Sequence, residues 1–184
     1  KDCKSIAKES LKIFKTLSGV LGANPKDLKE INGIGDNNIF GLKIAQAVAG
    51  RFLADGIINK DFIRSSDEVL RYLKYNLRDK TCEVFLVIYL NGRNQILKME
   101  EIFEGTLSTT AVYPREVVKR ALDNNAAALI FVHNHPSGNP NPSSDDLTIT
   151  KKLKEAAKSI DISVHDHLII AGDEVYSFAD HGIL

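Results

Sequence analysis

His133 and His135 are separated by a single residue, and after seven further residues come Ser143 and, at S-x-x-D spacing, Asp146. Histidines at i and i+2 at the end of an apolar strand point to the same side, so both imidazoles can reach one ion. The intervening Pro136-Ser137-Gly138-Asn139-Pro140-Asn141-Pro142 reads as a loop that brings the chain back. Asp146, in the first turn of the following helix, can then supply a carboxylate oxygen as a third ligand. Two nitrogens and one oxygen leave a tetrahedral zinc one open position, which marks a catalytic rather than a structural site. Hydrolysis there also needs a base to take and return a proton. A carboxylate is required, and spacing does not choose among Glu83, Glu100, Glu101 and Glu104.

Some of these residues have a plainer reading. S-x-x-D ahead of an apolar helix is close to a capping box, in which Ser143 bonds a helix N–H, and this role can coexist with ligation by Asp146. His165-Asp166-His167 is a second H-x-H, but no S-x-x-D follows it, so strand or supporting roles are expected, with His167 backing the site. His181 reads as a surface or packing residue.

The elements that must position these residues follow from periodicity. In the first helix Ile6, Ile13, Phe14 and Leu17 are expected on one face and Lys4, Lys8, Lys12 and Lys15 on another, with Gly19 and Gly22 ending it. A second helix starts near Pro25 and runs through Leu28 and Ile31 into Gly33-Ile34-Gly35, and a third covers about Asp36 to Leu53. Asp55-Gly56 marks a break, Ser66 reads as an N-cap, and Val69, Leu70 and Leu73 form a buried stripe. From there strands and helices alternate: Glu83 to Leu90, a hairpin signal at Asn91-Gly92, a return strand over Gln95 to Phe103, and a helix from Pro114 using Val117, Val118, Ala121 and Leu122. A strand from Ala127 to His133, a helix from Ser143 to Ile160, and strands Ser163 to Ile170 and Glu174 to Phe178 complete the chain. The expected architecture is an α/β layered domain, residues 59–184, behind a small all-helical domain, residues 1–58.

Composition limits the function classes. The 184 residues are 43% hydrophobic and 26% charged, with 24 basic and 24 acidic side chains, which excludes disordered, collagen-like and disulfide-scaffold classes. The first 60 residues carry 10 basic and 6 acidic groups and the remainder 14 and 18, so two domains with different partners are plausible. Apolar runs reach only seven residues, no membrane partner is expected, and no signal segment opens the sequence. Cys3 and Cys82 have no CxxC partner, which suits the cytoplasm and excludes a thiolate zinc cage.

His133, His135, Ser143 and Asp146 together resemble the JAMM (MPN+) metalloprotease motif. With Tyr113-Pro114-Arg115-Glu116, His133-Asn134-His135-Pro136-Ser137-Gly138 and Asp166-His167 in the same order, nearly the whole chain resembles the bacterial RadC family. The resemblance implies a JAB/MPN-like, cytidine-deaminase-like fold and one Zn2+ bound by His133, His135 and Asp146. It implies Glu83 as general base, with Glu104 as second choice, and Ser143 as donor to the tetrahedral oxyanion. It implies a protein or peptide substrate cleaved at a peptide or isopeptide bond, and it carries an association with DNA repair.

Leu28-x-x-Ile31-x-Gly33-Ile34-Gly35, followed by Ile39 and Leu42, resembles a helix-hairpin-helix, which binds DNA without sequence preference. Glycines there let backbone N–H groups approach a phosphate, and Gly33, Ile34, Gly35 and Lys43 are the candidate contacts. The alternative function is therefore a DNA-associated scaffold. The competing reading of the glycines is a tight helix-to-helix turn that serves packing. A base deaminase is excluded because H-x-E and P-C-x-x-C are missing.

Overall fold

The computed structural model describes residues 3–62, 64–105 and 112–184. The chain divides between Asp55 and Gly56 into two compact units.

The first unit is helical: α1 Lys4–Phe14, α2 Leu17–Gly22, α3 Pro25–Lys29 and α4 Asp36–Asp55. The single helix expected up to Gly19 is thus broken into α1 and α2. Lys15 takes a left-handed φ of 67°, and the Thr16 hydroxyl caps α2 by accepting from Gly19 N–H. A Cβ at Gly19 would lie 2.3 Å from the Phe14 carbonyl oxygen, so glycine permits the corner rather than ending a helix. The break also moves the buried stripe, leaving Ile13 and Leu17 exposed while Val20, Leu28 and Ile39 form the small core.

The second unit is a mixed five-stranded sheet between helical layers. Its elements are α5 Ser66–Leu77, β1 Glu83–Leu90, β2 Ile96–Gly105, α6 Pro114–Asp123, β3 Ala128–Asn134, α7 Ser144–Lys158, β4 Ser163–Ala171 and β5 Glu174–Ser177. The order is β2-β1-β3-β4-β5, antiparallel except for the parallel β3–β4 pair. This is the layered α/β arrangement that the resemblance to JAB/MPN-like domains implies. Strand alternation divides its core in two. Val84, Leu86, Ile88, Leu90, Ile130 and Val132 pack with Val69, Leu73 and Leu77 of α5, whereas Phe85, Val87, Tyr89, Leu129 and Phe131 pack with Val117 of α6 and Ile149 and Leu153 of α7. Both faces of β1 and β3 are covered, so these strands read as continuous apolar runs.

Two local signals resolve differently from expectation. Ser65, not Ser66, is the N-cap of α5, and its hydroxyl donates to the Asp61 carbonyl instead of serving the helix. The β1–β2 turn extends over Asn91 to Gln95. There the Asn91 carboxamide oxygen accepts from the N–H groups of Arg93 and Gln95, and Asn94 rather than Gly92 supplies the left-handed residue. Phe131 lies wholly buried at the centre of the α6–α7 side. Phe131→Ala should destabilise the chain by about 3–5 kcal/mol in urea denaturation, and a loss near zero would contradict this packing.

Candidate metal centre

Strand β3 delivers the two histidines. His133 is fully buried on the α7 side of the sheet, opposite Phe85 of β1. Beyond the strand, His135 is held by its own N–H, which donates to the Ile170 carbonyl at 2.9 Å and carries the β3–β4 pairing one step further. The Pro-rich loop then turns back to α7. At the start of that helix Ser143 and Asp146 form a complete capping box: Asp146 N–H donates to Ser143 Oγ at 3.1 Å, and Ser143 N–H donates to Asp146 Oδ2 at 2.7 Å. The Ser143 hydroxyl hydrogen also goes to Asp146 Oδ2, at 2.6 Å. The cap therefore serves the site, because it fixes the Asp146 carboxylate while that group sits almost fully buried.

The three side chains converge. His133 Nε2 lies 3.1 Å from Asp146 Oδ1, His135 Nε2 lies 3.3 Å from Asp146 Oδ2, and the two Nε2 atoms are 2.9 Å apart. One ligand atom from each residue lies within 4.8 Å of the others, so the cluster could hold a metal ion. His135 Nδ1 is 2.7 Å from the Asn139 carbonyl, which can only accept, so the ring hydrogen is on Nδ1 and a neutral His135 presents a lone pair at Nε2. Lone pairs facing a carboxylate call for a cation among them. The Asp146 carboxylate, accepting from the ring, raises the His135 pKa against the effect of burial, helped by the Asn139 carbonyl and the Glu83 charge. Burial alone would raise the Asp146 carboxyl, but His133, His135 and Ser143 outweigh it and hold that group far below the usual carboxylate range. A divalent ion would satisfy all three ligands at once.

Three further residues complete the surroundings. His167 is fully buried among Phe85, Phe131 and Phe178, with its Nε2 2.8 Å from His133 Nδ1 and its Nδ1 2.6 Å from the Thr150 hydroxyl. Asn134 points to the other face from the two histidines that flank it. Its carboxamide oxygen accepts from Val84 N–H at 2.7 Å and its NH2 donates to the Cys82 carbonyl at 3.1 Å. The β1–β3 ladder ends at Phe85 and His133, and this amide continues it past Glu83. Sequence reasoning assigned no role to Thr150 or to Asn134, which it named only within the histidine string. The one available signal was Thr150 itself, a polar residue on the buried stripe of α7 beside Ile149 and Leu153.

The glutamates separate by register. Glu83 lies two residues before Phe85 and so on the face that carries His133. Glu104 pairs with Val84 and lies on the opposite face, where its carboxylate accepts from the Cys82 thiol at 3.2 Å. Glu100 takes an ion pair from Arg120 at 2.6 Å, and Glu101 is exposed opposite Leu86. The second H-x-H splits: His167 backs the site, whereas His165 is exposed and bonds Asn94 at 2.9 Å. His181 stacks on Tyr176 at 4.0 Å.

In the first unit, Gly33 has φ +95°, so the turn needs glycine, and a Cβ there would also press on Ile6 Cδ1 at 2.7 Å. Ile34 N–H donates to the Ile31 carbonyl at 3.0 Å and Gly35 N–H to Asn38 Oδ1 at 3.1 Å. Lys43 Nζ donates to the Leu21 carbonyl at 2.8 Å and to Gln46 at 3.1 Å. A Cβ at Gly35 would meet only Asn38 Oδ1, at 3.9 Å.

Comparison with known proteins adds to this geometry. Residues 63–183 match the family model of the RadC-like JAB domain. A UPF0758 protein of Nitrosospira multiformis is 40% identical over 184 residues, covering 100% of this chain and 82% of its own. UPF0758 proteins of Aliivibrio salmonicida and Nitrosomonas europaea are each 41% identical, over 96% and 97% of this chain and 79% and 80% of theirs.

Burial, with the fields of His133 and His135 added, holds the His167 ring well below its ordinary 6.5. The unfolded chain therefore takes a proton below pH 6.5 that the folded chain refuses, and stability is lost as pH falls, by up to about 1.4 kcal/mol per unit. Metal-free protein taken from pH 7 to 5.5 should lose about 1 kcal/mol more than the His167→Phe variant in chemical denaturation, and parallel pH profiles would count against a neutral buried ring.

Proposed function

The chain belongs to the RadC-like JAB domain family, and from that premise we propose that its second unit is a zinc-dependent hydrolase of JAMM type that cleaves peptide or isopeptide amide bonds. The observation that carries this reading is the convergence of two imidazole nitrogens and a capped carboxylate, with a glutamate on the same face of the sheet. Two nitrogens and an oxygen suit zinc and leave room for a fourth ligand. When bound there, the ion would supply Lewis-acid chemistry and lower the pKa of a water to about 7.

The protein's own groups account for the remaining steps. Glu83 takes the proton from the attacking water and returns it to the leaving amine, and its place on the His133 face of the sheet supports it over Glu104, whose carboxylate is on the opposite face. Asn134 holds the backbone on either side of Glu83 to the strand that carries the ligands. Ser143 orients Asp146, and its hydroxyl hydrogen, which rests on Asp146 Oδ2, turns to the developing oxyanion. The buried walls formed by Phe85, Phe131 and Phe178 keep water from the back of the site. No helix among the described residues is long and apolar enough to cross a membrane, and two cysteines held as thiols rather than as disulfides, Cys3 and Cys82, support a reducing, cytoplasmic setting.

The alternative, a DNA-bound scaffold, has weaker support. Lys43 and the Gly35 N–H are already bonded within the first unit, and Lys29 pairs with Asp36 at 2.7 Å.

The test uses the full chain, zinc analysis, and a panel of fluorogenic linear and isopeptide-linked substrates. Wild type should carry about one zinc per chain, and His133→Ala should lose it. Glu83→Gln should keep the metal while turnover falls by about 10²-fold or more, and Glu104→Gln should turn over like wild type. Protein that binds no zinc, or a Glu83→Gln variant as active as wild type, would overturn the proposal.

A further inference from the structure

The polar chain behind His133 has a direction, and Thr150 sets it. Thr150 Oγ lies 2.5 Å from the main-chain carbonyl oxygen of Asp146, one helical turn earlier, and 2.6 Å from His167 Nδ1. A carbonyl oxygen can only accept, and two bare oxygens do not sit at that distance, so the single hydroxyl hydrogen lies between Thr150 and Asp146. Thr150 Oγ can then only accept from His167, which places the His167 hydrogen on Nδ1 and leaves Nε2 as a lone pair. That nitrogen is 2.8 Å from His133 Nδ1. His133 must therefore carry its hydrogen on Nδ1, and its Nε2 is left bare toward Asp146 and His135.

We infer that Thr150 is a positioning residue that, through His167, selects the His133 tautomer able to bind a metal. Asp146 enters twice, with its carboxylate as ligand and its main-chain carbonyl as the anchor of the chain that prepares the neighbouring ligand. The aromatic walls matter to this inference. Phe85, Phe131 and Phe178 surround the His167 ring and offer its nitrogens no other partner, so the order of hydrogens cannot be rearranged locally. Replacing the hydroxyl by a methyl group leaves a buried Nδ1–H unpaired. Reversing the whole chain relieves this: His167 donates from Nε2 to His133 Nδ1, and His133 then presents an N–H where the ion would bind. His135 does not depend on this chain, because the Asn139 carbonyl orders it separately.

The inference rests on the metal-site reading for its functional meaning, but it can be tested without activity. Long-range 1H–15N spectra of the metal-free, histidine-labelled full chain should show the hydrogens of both His133 and His167 on Nδ1. In Thr150→Val both should move to Nε2, and zinc affinity should fall about 10- to 100-fold, whereas Thr150→Ser should keep the wild-type tautomers and affinity. Wild-type spectra with both hydrogens on Nε2, or a folded Thr150→Val with unchanged tautomers and affinity, would overturn the inference. If Thr150→Val does not fold, the wild-type spectrum decides alone. Chain that shows the expected tautomers but binds no zinc would refute the hydrolase and leave this proton order standing.

Discussion

The alternation of side chains along β3 is the constraint on which the site depends. The last two residues of β3, His133 and Asn134, and the residue just beyond it, His135, serve two faces of one sheet. The outer two face α7 and the carboxylate at its start, while the middle one reaches across to β1 and closes the ladder there. Moving the strand by one residue would exchange these roles, turning the imidazoles toward the α5 side. The packing opposes such a slip, since every residue from Ala128 to Asn134 is buried and each face has its own partners.

Burial also determines the electrostatics. Asp146 would not remain charged in so closed a place without compensation, and it receives the Ser143 hydroxyl and N–H, with the His135 ring beside it. The capping box is both a helix-start device and a ligand mount, so helix stability and site geometry are coupled through one side chain. His167 shows the reverse case. Its surroundings are too dry for a charge, so it acts as a neutral link with defined hydrogens.

The glutamates show where local reasoning stops. Between Phe85 and Leu86 the β1–β2 register shifts, so that Phe85 faces Phe103 but Leu86 faces Glu101 and Ile102 is the extra residue. Without that bulge Glu104 would fall opposite Glu83 on the same face, and the two acids would be hard to tell apart. The bulge turns Glu104 away to Cys82. In the first unit the corner at Lys15 and Thr16 has a similar effect: a residue-by-residue helical pattern continues through it, but the chain does not.

The His133–His135–Asp146 cluster, the element order and the strand-rich second unit were legible in the sequence because they rest on short-range rules. Histidines two apart share a strand face, S-x-x-D caps a helix, and apolar runs bounded by turn residues form strands. The break after Phe14, the true cap of α5 and the turn at Asn94 were misread, since each depends on which of several adjacent residues takes the unusual backbone angle or the bond. Only the tertiary structure decided which glutamate shares the His133 face of the sheet, that Asn134 binds β1, and that Thr150 and His167 stand behind His133. Those relations join residues tens of positions apart across a bulged register, and the hydrogen bonds that define them form only when the sheet and α7 have excluded water from the space between.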